Sequence, residues 1–337
     1  MKQRKFVIKG SGHYLPRKKV LAEELDLKMG LEKGTVLKKS GVACRYYADP
    51  QEETNSKMGA WAAKEALKEA GMDASQLDVI INASGSIEQI LPNGAVFIQH
   101  ELGLADSGIP CFSVDSTCLS FVTTLDVVSY MLEAGRYKNV LIVSSELASV
   151  GLNWKQPESA SLFGDGAVAF VIGRAEEGDS ASKILSCHME TYSSAAHQCE
   201  IAGGGSRINV RTSGVDGPDD ARYLFSMNGP ALFETSLVKV GPFMKKLFEP
   251  LNLTLAEMDL IIPHQASLSA MNLTKRSLQI KSEKWLTIVP DYGNMIAACI
   301  PLGLHLARCE GRVKKGDRVL LCGTSAGLSI GGMVFEY

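Results

Sequence analysis

No apolar run in this 337-residue chain approaches the roughly 18 to 20 residues that a membrane-spanning helix needs; Ala167 to Gly173 and Val140 to Val143 are long enough only for strands. No membrane protein is expected. A dominant charge is missing as well: 35 Lys and Arg stand against 37 Asp and Glu, a formal net charge of −2, so no overall positive field draws the chain to polyanions. Nucleic acid is therefore not an expected partner. The basic N-terminus is followed only by Phe6, Val7 and Ile8, too few for the apolar region of a secretory signal, and the sequence predicts a cytoplasmic protein. The eight cysteines form no CxxC pair and no Cys/His cluster at zinc spacing, and they are too sparse for a disulfide scaffold. Neither GxxxxGK[ST] nor GxGxxG occurs, so a nucleotide cradle has no support.

What is present is an ordinary globular composition, 45% hydrophobic and 21% charged, and a length that predicts about two globular units. Strand-length apolar runs recur at Phe6 to Lys9, Val79 to Asn82, Cys111 to Val114, Val140 to Ser144, Ala167 to Ile172, Leu260 to Pro263, Leu286 to Pro290, Val319 to Cys322 and Gly332 to Phe335. Between them lie stretches of helical period, such as Met58, Trp61, Ala62, Ala66, Ala70 and Phe121, Val122, Leu125, Val128, Leu132. The alternation predicts α/β layers.

The chain also repeats itself. LDVII at Leu77 to Ile81 returns as MDLII at Met258 to Ile262, an offset of 181, and VLIVSS at Val140 to Ser145 returns as VLLCGT at Val319 to Thr324, an offset of 179. Two such similar offsets predict a duplicated fold with halves at 1–173 and 174–337, divided in the polar stretch Arg174 to Ser182. His197 to Arg222 fits neither half. It reads as a long structureless insertion, either a lid or wall over a pocket or a surface excursion.

Three residues at expected strand ends could carry chemistry. Cys118 follows the strand Cys111 to Val114 and the N-cap types Asp115-Ser116-Thr117, which places it in the first turn of a helix. Unpaired N–H groups and the helix dipole favour a thiolate there; a small hydrophobe at a helix start is the alternative. His264 closes Leu260 to Pro263, at the strand end that Ala83-Ser84 holds in the first half, and could equally be a structural histidine. Asn294, before an apolar helix beginning near Ile296, is by itself an N-cap asparagine. Together the three could supply a nucleophile, a proton-handling or oxyanion-binding imidazole and a neutral amide donor. Phe163-Gly164-Asp165-Gly166-Ala167 suits a tight hairpin turn, and Gly323 to Gly327 could aim a backbone N–H into the same site.

Cys118 after DST, LFGDGA at Leu162 to Ala167, IPHQAS at Ile262 to Ser267, GNMIAACIP at Gly293 to Pro301 and the Gly-rich end together resemble the β-ketoacyl-acyl-carrier-protein synthase III group of the thiolase superfamily. The resemblance covers nearly the whole chain. It implies the thiolase-like duplicated αβαβα five-layer fold, a homodimer, and no metal or redox cofactor. It implies a decarboxylative Claisen condensation in which Cys118 takes an acyl group from a thioester and a malonyl thioester then loses CO2 and attacks it. His264 and Asn294 would bind the malonyl thioester oxygen, and the N–H groups of Cys118 and the Ala326 region would hold the oxyanion of acyl transfer. Acyl transfer to an oxygen or nitrogen nucleophile, and non-decarboxylative condensation of two acyl thioesters, are the alternatives.

Departures from the family pattern bear on the substrate. Met295-Ile296 replace the usual Thr-Ser after Asn294, which predicts an apolar pocket wall with Met295 in it. Leu91, before Pro92, stands where a pocket-gating Phe is usual, and Glu88 lies close enough to replace the glutamate that some related enzymes use. Thr35, Lys39 and Pro157 stand where fatty-acid-initiating members carry the Trp and two Arg that clamp coenzyme A. An acyl carrier protein is therefore the expected donor, with coenzyme A the other candidate. Lys275 and Arg276 are candidates for the basic rim that would meet the carrier, or else an ordinary solvated helix face.

Overall fold

The computed structural model describes residues 4–337; Met1 to Gln3, the start of the basic N-terminal segment, lie outside the described residues. Nine strands form one sheet: β1 (Arg4–Tyr14), β2 (Val79–Asn82), β3 (Cys111–Ser113), β4 (Asn139–Glu146), β5 (Gly166–Arg174), β6 (Ser182–Thr191), β7 (Leu260–Pro263), β8 (Arg318–Ser325) and β9 (Ser329–Glu336). Their order is β7-β8-β9-β6-β1-β5-β4-β2-β3. It reads alike outward from the β1/β6 junction in both directions, with β3 added at one edge. β2 and β7 lie parallel to β4 and β8, whereas β5 and β9 return antiparallel.

Strand residues alternate between the two faces of the sheet, and this alternation creates the layers. Val79, Ile81, Val140, Ile142, Leu260, Ile262, Val319 and Leu321 bury one face against α3 (Ser120–Glu133) and α6 (Cys299–Cys309), which share one central core. On the opposite face Ile80, Leu141 and Val143 pack under α1 (Asn55–Ala70), through Met58, Ala62 and Ala66, and α2 (Gly94–Glu101). Ile261, Leu320 and Val334 pack under α4 (Gly229–Phe248) and α5 (Leu268–Ser277). Because α3 and α6 pack against both halves of the nine-stranded sheet at once, the two halves act as separate layers, and the order is helix, half-sheet, helix, half-sheet, helix, the thiolase-like α/β architecture. Among the described residues no helix is long and apolar enough to cross a membrane.

Three sequence expectations are corrected. Leu286 to Pro290 is not a strand: the chain makes one parallel bridge, Trp285 to Ile261, and then turns into the short helix Val289–Tyr292. The Gln265 side chain stands in for the missing neighbour, its Oε1 accepting from the Ile288 and Val289 N–H groups at 2.9 and 3.0 Å. Phe163 to Ala167 is no hairpin, because Phe163 bridges Asn294 from the other end of the chain. The 197–222 segment is not structureless. Cys199–Glu200 pairs with Ser226–Met227, Val210–Ser213 is helical, and Asp220 binds Arg222.

Candidate active site

The site begins with a turn. Past β3, the Asp115 carboxylate accepts from the Thr117 N–H at 2.7 Å, and Ser120 Oγ accepts from Ser116 N–H while donating to the Thr117 carbonyl. These bonds hold Thr117 at φ +48°, a left-handed conformation that costs a non-glycine residue about 1–3 kcal/mol. The chain thereby turns sharply into a 3-10 turn, Thr117–Leu119, that presents Cys118 ahead of α3. Cys118 is half-buried. The sequence placed it in the first α-helical turn with a favoured thiolate. Burial instead pushes its thiol well up, helped by Cys299, Cys199 and Glu146 and only partly offset by the Cys118 N–H. A protonated resting thiol follows.

A second turn of the same shape lies 179 positions on. Ile296 holds φ +46° and leads through the 3-10 turn Ile296–Ala298 into α6. Gly85 is wedged between the two turns: a Cβ there would stand 2.7 Å from Ile296 Cγ2 and 3.3 Å from the Thr117 backbone. Glu146, fully buried at the end of β4, ties the region together. Its carboxylate accepts from the N–H groups of Gly85 (2.7 Å), Ser86 (2.8 Å) and Ala297 (3.3 Å), and burial still pushes it up to about 8.

His264 sits at the carboxyl end of β7, its N–H donating to the Cys322 carbonyl at 2.8 Å. The ring is buried, its Nδ1 has no protein partner, and burial brings it down to about 4, so the imidazole is neutral at physiological pH. It can therefore act as a neutral donor or acceptor, and it is not poised as an imidazolium beside a thiolate. Asn294 is fixed by the FGDGA segment: its N–H donates to the Leu162 carbonyl and its own carbonyl accepts from Gly164. Gly164 is required there, since a Cβ would fall 2.4 Å from the Tyr292 carbonyl oxygen. Asp165 anchors the segment from beneath, accepting from Ala48 and Ser149, with burial pushing it up to about 6. Asn294 Oδ1 accepts from the Ile296 N–H at 2.9 Å, which turns its amide Nδ2 toward the Ala266 carbonyl, 3.4 Å away.

Cys118, His264, Asn294 and Ala326 line a single cavity of about 950 Å³. Not every sequence candidate joins them. Met295 is fully buried in the central core, and Ile296 lines the cavity instead, because the left-handed turn swings the chain between the two residues. Leu91 is 78% exposed and outside the lining, while Ile87 and Ile90 of the same loop are in it. Glu88 lines the cavity, but its carboxylate is engaged by the Ser56 N–H at the start of α1. Arg276 is exposed and Lys275 donates to Ser282 Oγ, both beside the lining residues Thr274 and Leu278.

The sequence reading assigned Ile296 a share in the apolar wall with Met295, and only Ile296 holds it; Glu146, Cys199 and the strain at Thr117 were missed. For Glu146 a signal existed: a carboxylate closes the buried strand VLIVSSE where the repeat has Ser325. Cys199, Glu200 and Gly203 to Gly205 show that the 197–222 segment supplies a wall. Among the described residues no group of His, Cys, Asp and Glu could hold a metal ion.

Sequence comparison matches residues 112–193 to the family described as 3-oxoacyl-[acyl-carrier-protein (ACP)] synthase III and residues 248–337 to its C-terminal region. The β-ketoacyl-[acyl-carrier-protein] synthase III of Syntrophomonas wolfei is 31% identical over 334 residues, 99% of this chain and 98% of its own. That of Aquifex aeolicus is 30% identical over 328 residues, 97% and 98% of the two chains. The crystal structure of 3-oxoacyl-[acyl-carrier-protein] synthase III from Aquifex aeolicus superposes with a TM-score of 0.86, covering 98% of this chain and 100% of that one, at 30% identity. A variant of Xanthomonas campestris OleA, 21% identical, superposes at 0.87 over 100% of both chains and shares the fold.

Proposed function

Because the chain belongs to the 3-oxoacyl-[acyl-carrier-protein] synthase III family, and so is a condensing acyltransferase, we propose that it performs a decarboxylative Claisen condensation with Cys118, His264 and Asn294 as its catalytic residues. The observation that carries this reading is their convergence, from beyond β3, from the end of β7 and from the turn ahead of α6, on one cavity beside a strained turn that presents the thiol. In the first half-reaction Cys118 Sγ attacks the carbonyl carbon of an acyl thioester, His264 accepts the thiol proton, and the N–H groups of Cys118 and Ala326 stabilise the oxyanion until the donor thiolate leaves and takes that proton back from His264, which is neutral again. In the second, a malonyl thioester releases CO2. Its enolate oxygen is held by the neutral His264 and the Asn294 amide while the carbanion attacks the Cys118 acyl carbonyl; the new C–C bond forms, the Cys118 Sγ–acyl bond breaks, and the expelled thiolate takes up a proton from solvent.

The two parts 1–173 and 174–337 are read as duplicated thiolase-like halves; the mirrored strand order and the paired turns at Thr117 and Ile296 support this. The protein works in the cytoplasm as a homodimer; the dimer is supported by exposed Ile87, Ile90 and Leu91 on the loop leading to Asn93, which accepts from Ser113 of the edge strand β3, and light scattering that returned a monomer at micromolar concentration would remove that part. An acyl carrier protein delivers the acyl group, since Thr35, Lys39 and Pro157 offer neither an aromatic face nor a guanidinium to an adenine. Lys275 and Arg276 would meet the carrier's acidic surface.

One experiment tests these assignments together. The same acyl group is offered on a carrier protein and on coenzyme A, and intact protein mass is followed. One adduct is expected, faster from the carrier, absent in Cys118→Ala and slowed by Lys275→Glu/Arg276→Glu. An adduct that survives Cys118→Ala sinks the nucleophile. Equal rates from both donors, unchanged by the charge reversal, sink the carrier.

A further inference from the structure

Glu146 does not line the cavity, yet its carboxyl reaches the backbone on both sides of the reacting groups. Oε1 accepts from the Gly85 N–H at 2.7 Å and from the Ala297 N–H at 3.3 Å, and Oε2 accepts from the Ser86 N–H at 2.8 Å. One side chain at the end of β4 thus ties the loop after β2 to the turn ahead of α6. Its partners are N–H groups and the Ser86 hydroxyl, not a cation. Burying an acid on those terms is costly.

The repeated scaffold does not require it. The matching strand β8 ends at Ser325, whose hydroxyl donates to the adjacent Ala326 carbonyl. An acid kept in one half and absent from the other serves the site rather than the fold.

What the acid holds is a wedge. Gly85 lies between the 3-10 turns Thr117–Leu119 and Ile296–Ala298, which pack against each other. With the Ile296 methyl on one side and the Thr117 backbone on the other, the turns leave no room there for a side chain. The first turn presents Cys118. The second is joined to Asn294, whose Oδ1 accepts from the Ile296 N–H at 2.9 Å. Glu146 grips the wedge through Gly85 and the second turn through Ala297, so it fixes how far the Cys118 side of the site stands from the Asn294 side.

We propose that Glu146 is a positioning residue that couples the two half-reactions, holding the Cys118 acyl group and the malonyl-derived carbanion at bonding distance. The proposal rests on the condensation reading above. Once CO2 has left, the enolate has two fates. It attacks the acyl carbonyl, forming the C–C bond and breaking the Sγ–acyl bond, or it takes a proton from solvent and departs as the acetyl thioester. Bond formation depends on the spacing of the two turns, and a misplacement of about 1 Å costs about 10²-fold; protonation needs no such placement.

The test counts CO2 released per condensation product, with acetyl thioester quantified beside it. The wild type should release about one CO2 per product, since carbanion attack outpaces protonation when the turns are correctly spaced. Glu146→Gln sets an amide N–H2 against N–H donors, and Glu146→Asp, one methylene shorter, cannot reach all three. In both variants the ratio should rise to about two or more, whatever the total rate, with the excess CO2 matched by acetyl thioester. Gly85→Ala, with Glu146 intact, should do the same by forcing the turns apart, and it decides the matter if the Glu146 variants do not fold. Phe335→Leu, in the central core at the Phe6 ring, lowers stability without touching the wedge and should keep the wild-type ratio. An unchanged ratio in the folded Glu146 variants or in Gly85→Ala overturns the proposal, as does an equal rise in Phe335→Leu. Crystal structures give a readout independent of the chemistry: the separation of Thr117 from Ile296 should widen in Glu146→Gln and Gly85→Ala, and an unchanged separation overturns the proposal. A wild type that releases no CO2 would instead count against the decarboxylative reading and leave that separation to decide whether Glu146 sets the spacing.

Discussion

Thr117 in the first half and Ile296 in the second hold φ +48° and +46°, and each leads through a 3-10 turn into a buried central helix. The residue that follows differs: Cys118 lines the cavity, whereas Ala297 is buried and donates its N–H to Glu146. The strand ends are equipped the other way round, with His264 on β7 where the first half has Ala83 on its homologous end. One turn keeps the strain and presents the Cys118 thiol; its counterpart keeps the strain and positions Asn294 and Ile296. On the mechanism proposed above, the comparison teaches that the scaffold is duplicated but the chemistry is divided: the nucleophile comes from one half, and the groups for the malonyl oxygen come from the other.

The largest expected effect comes from trying to exchange the roles of the twins. Cys118→Ala should abolish condensation, and adding Ala297→Cys should not restore an acyl adduct, because that position is buried and lies off the cavity. Mass spectrometry showing acylation at position 297 would break the asymmetry on which the reading rests. A smaller loss is expected at the cross-half contact. In Gly164→Ala the new Cβ meets the Tyr292 carbonyl, and backbone must shift at a cost of about 1–3 kcal/mol, carrying Asn294 with it. Thermal unfolding should show the lower stability, and malonyl decarboxylation should suffer more than Cys118 acylation; equal suffering would mean that Asn294 does not belong to one half-reaction.

Glu146 sharpens the comparison through pH. Its folded-state value of about 8 lies above the ordinary 4.5, so the folded protein holds this proton more tightly than the unfolded chain. The stability tied to it is complete below about pH 4.5 and is lost as pH rises toward 8, on the order of a few kcal/mol. Denaturant midpoints measured from pH 5 to 8 should fall for the wild type and fall less for Glu146→Gln, whatever the variant's absolute stability. Parallel curves would show that Glu146 does not titrate in that window.

Much of this organisation was legible in the sequence because it is local. Short apolar runs marked most of the strands, and the 181 and 179 offsets matched the spacing of β2 to β7 and of β4 to β8. β6 escaped notice because Ser182 and Ser186 fill two of its buried, period-two positions, leaving Ile184 as the only apolar signal among them. Leu286 to Pro290 misled for the opposite reason: it is apolar enough for a strand, but the Gln265 side chain takes the N–H groups that a neighbouring strand would have used. Cys118 and His264 could be placed at or near strand ends, whereas the strand expected before Asn294 is a short helix, Val289–Tyr292. That Phe163 and Gly164 fix Asn294, and that the chain reverses between Met295 and Ile296, depends on contacts across the duplication and on one left-handed residue, neither of which leaves a periodic trace.

The division of labour is tested most directly by His264→Ala, assayed separately for Cys118 acylation by intact mass and for CO2 release from a malonyl thioester. The account predicts that the acyl adduct still forms, with His264 speeding its formation and not being required for it. Decarboxylation should fall by about 10²–10³-fold, the usual consequence of removing one oxyanion donor. Loss of both half-reactions to the same extent would contradict the account and make His264 chiefly the activator of the thiol.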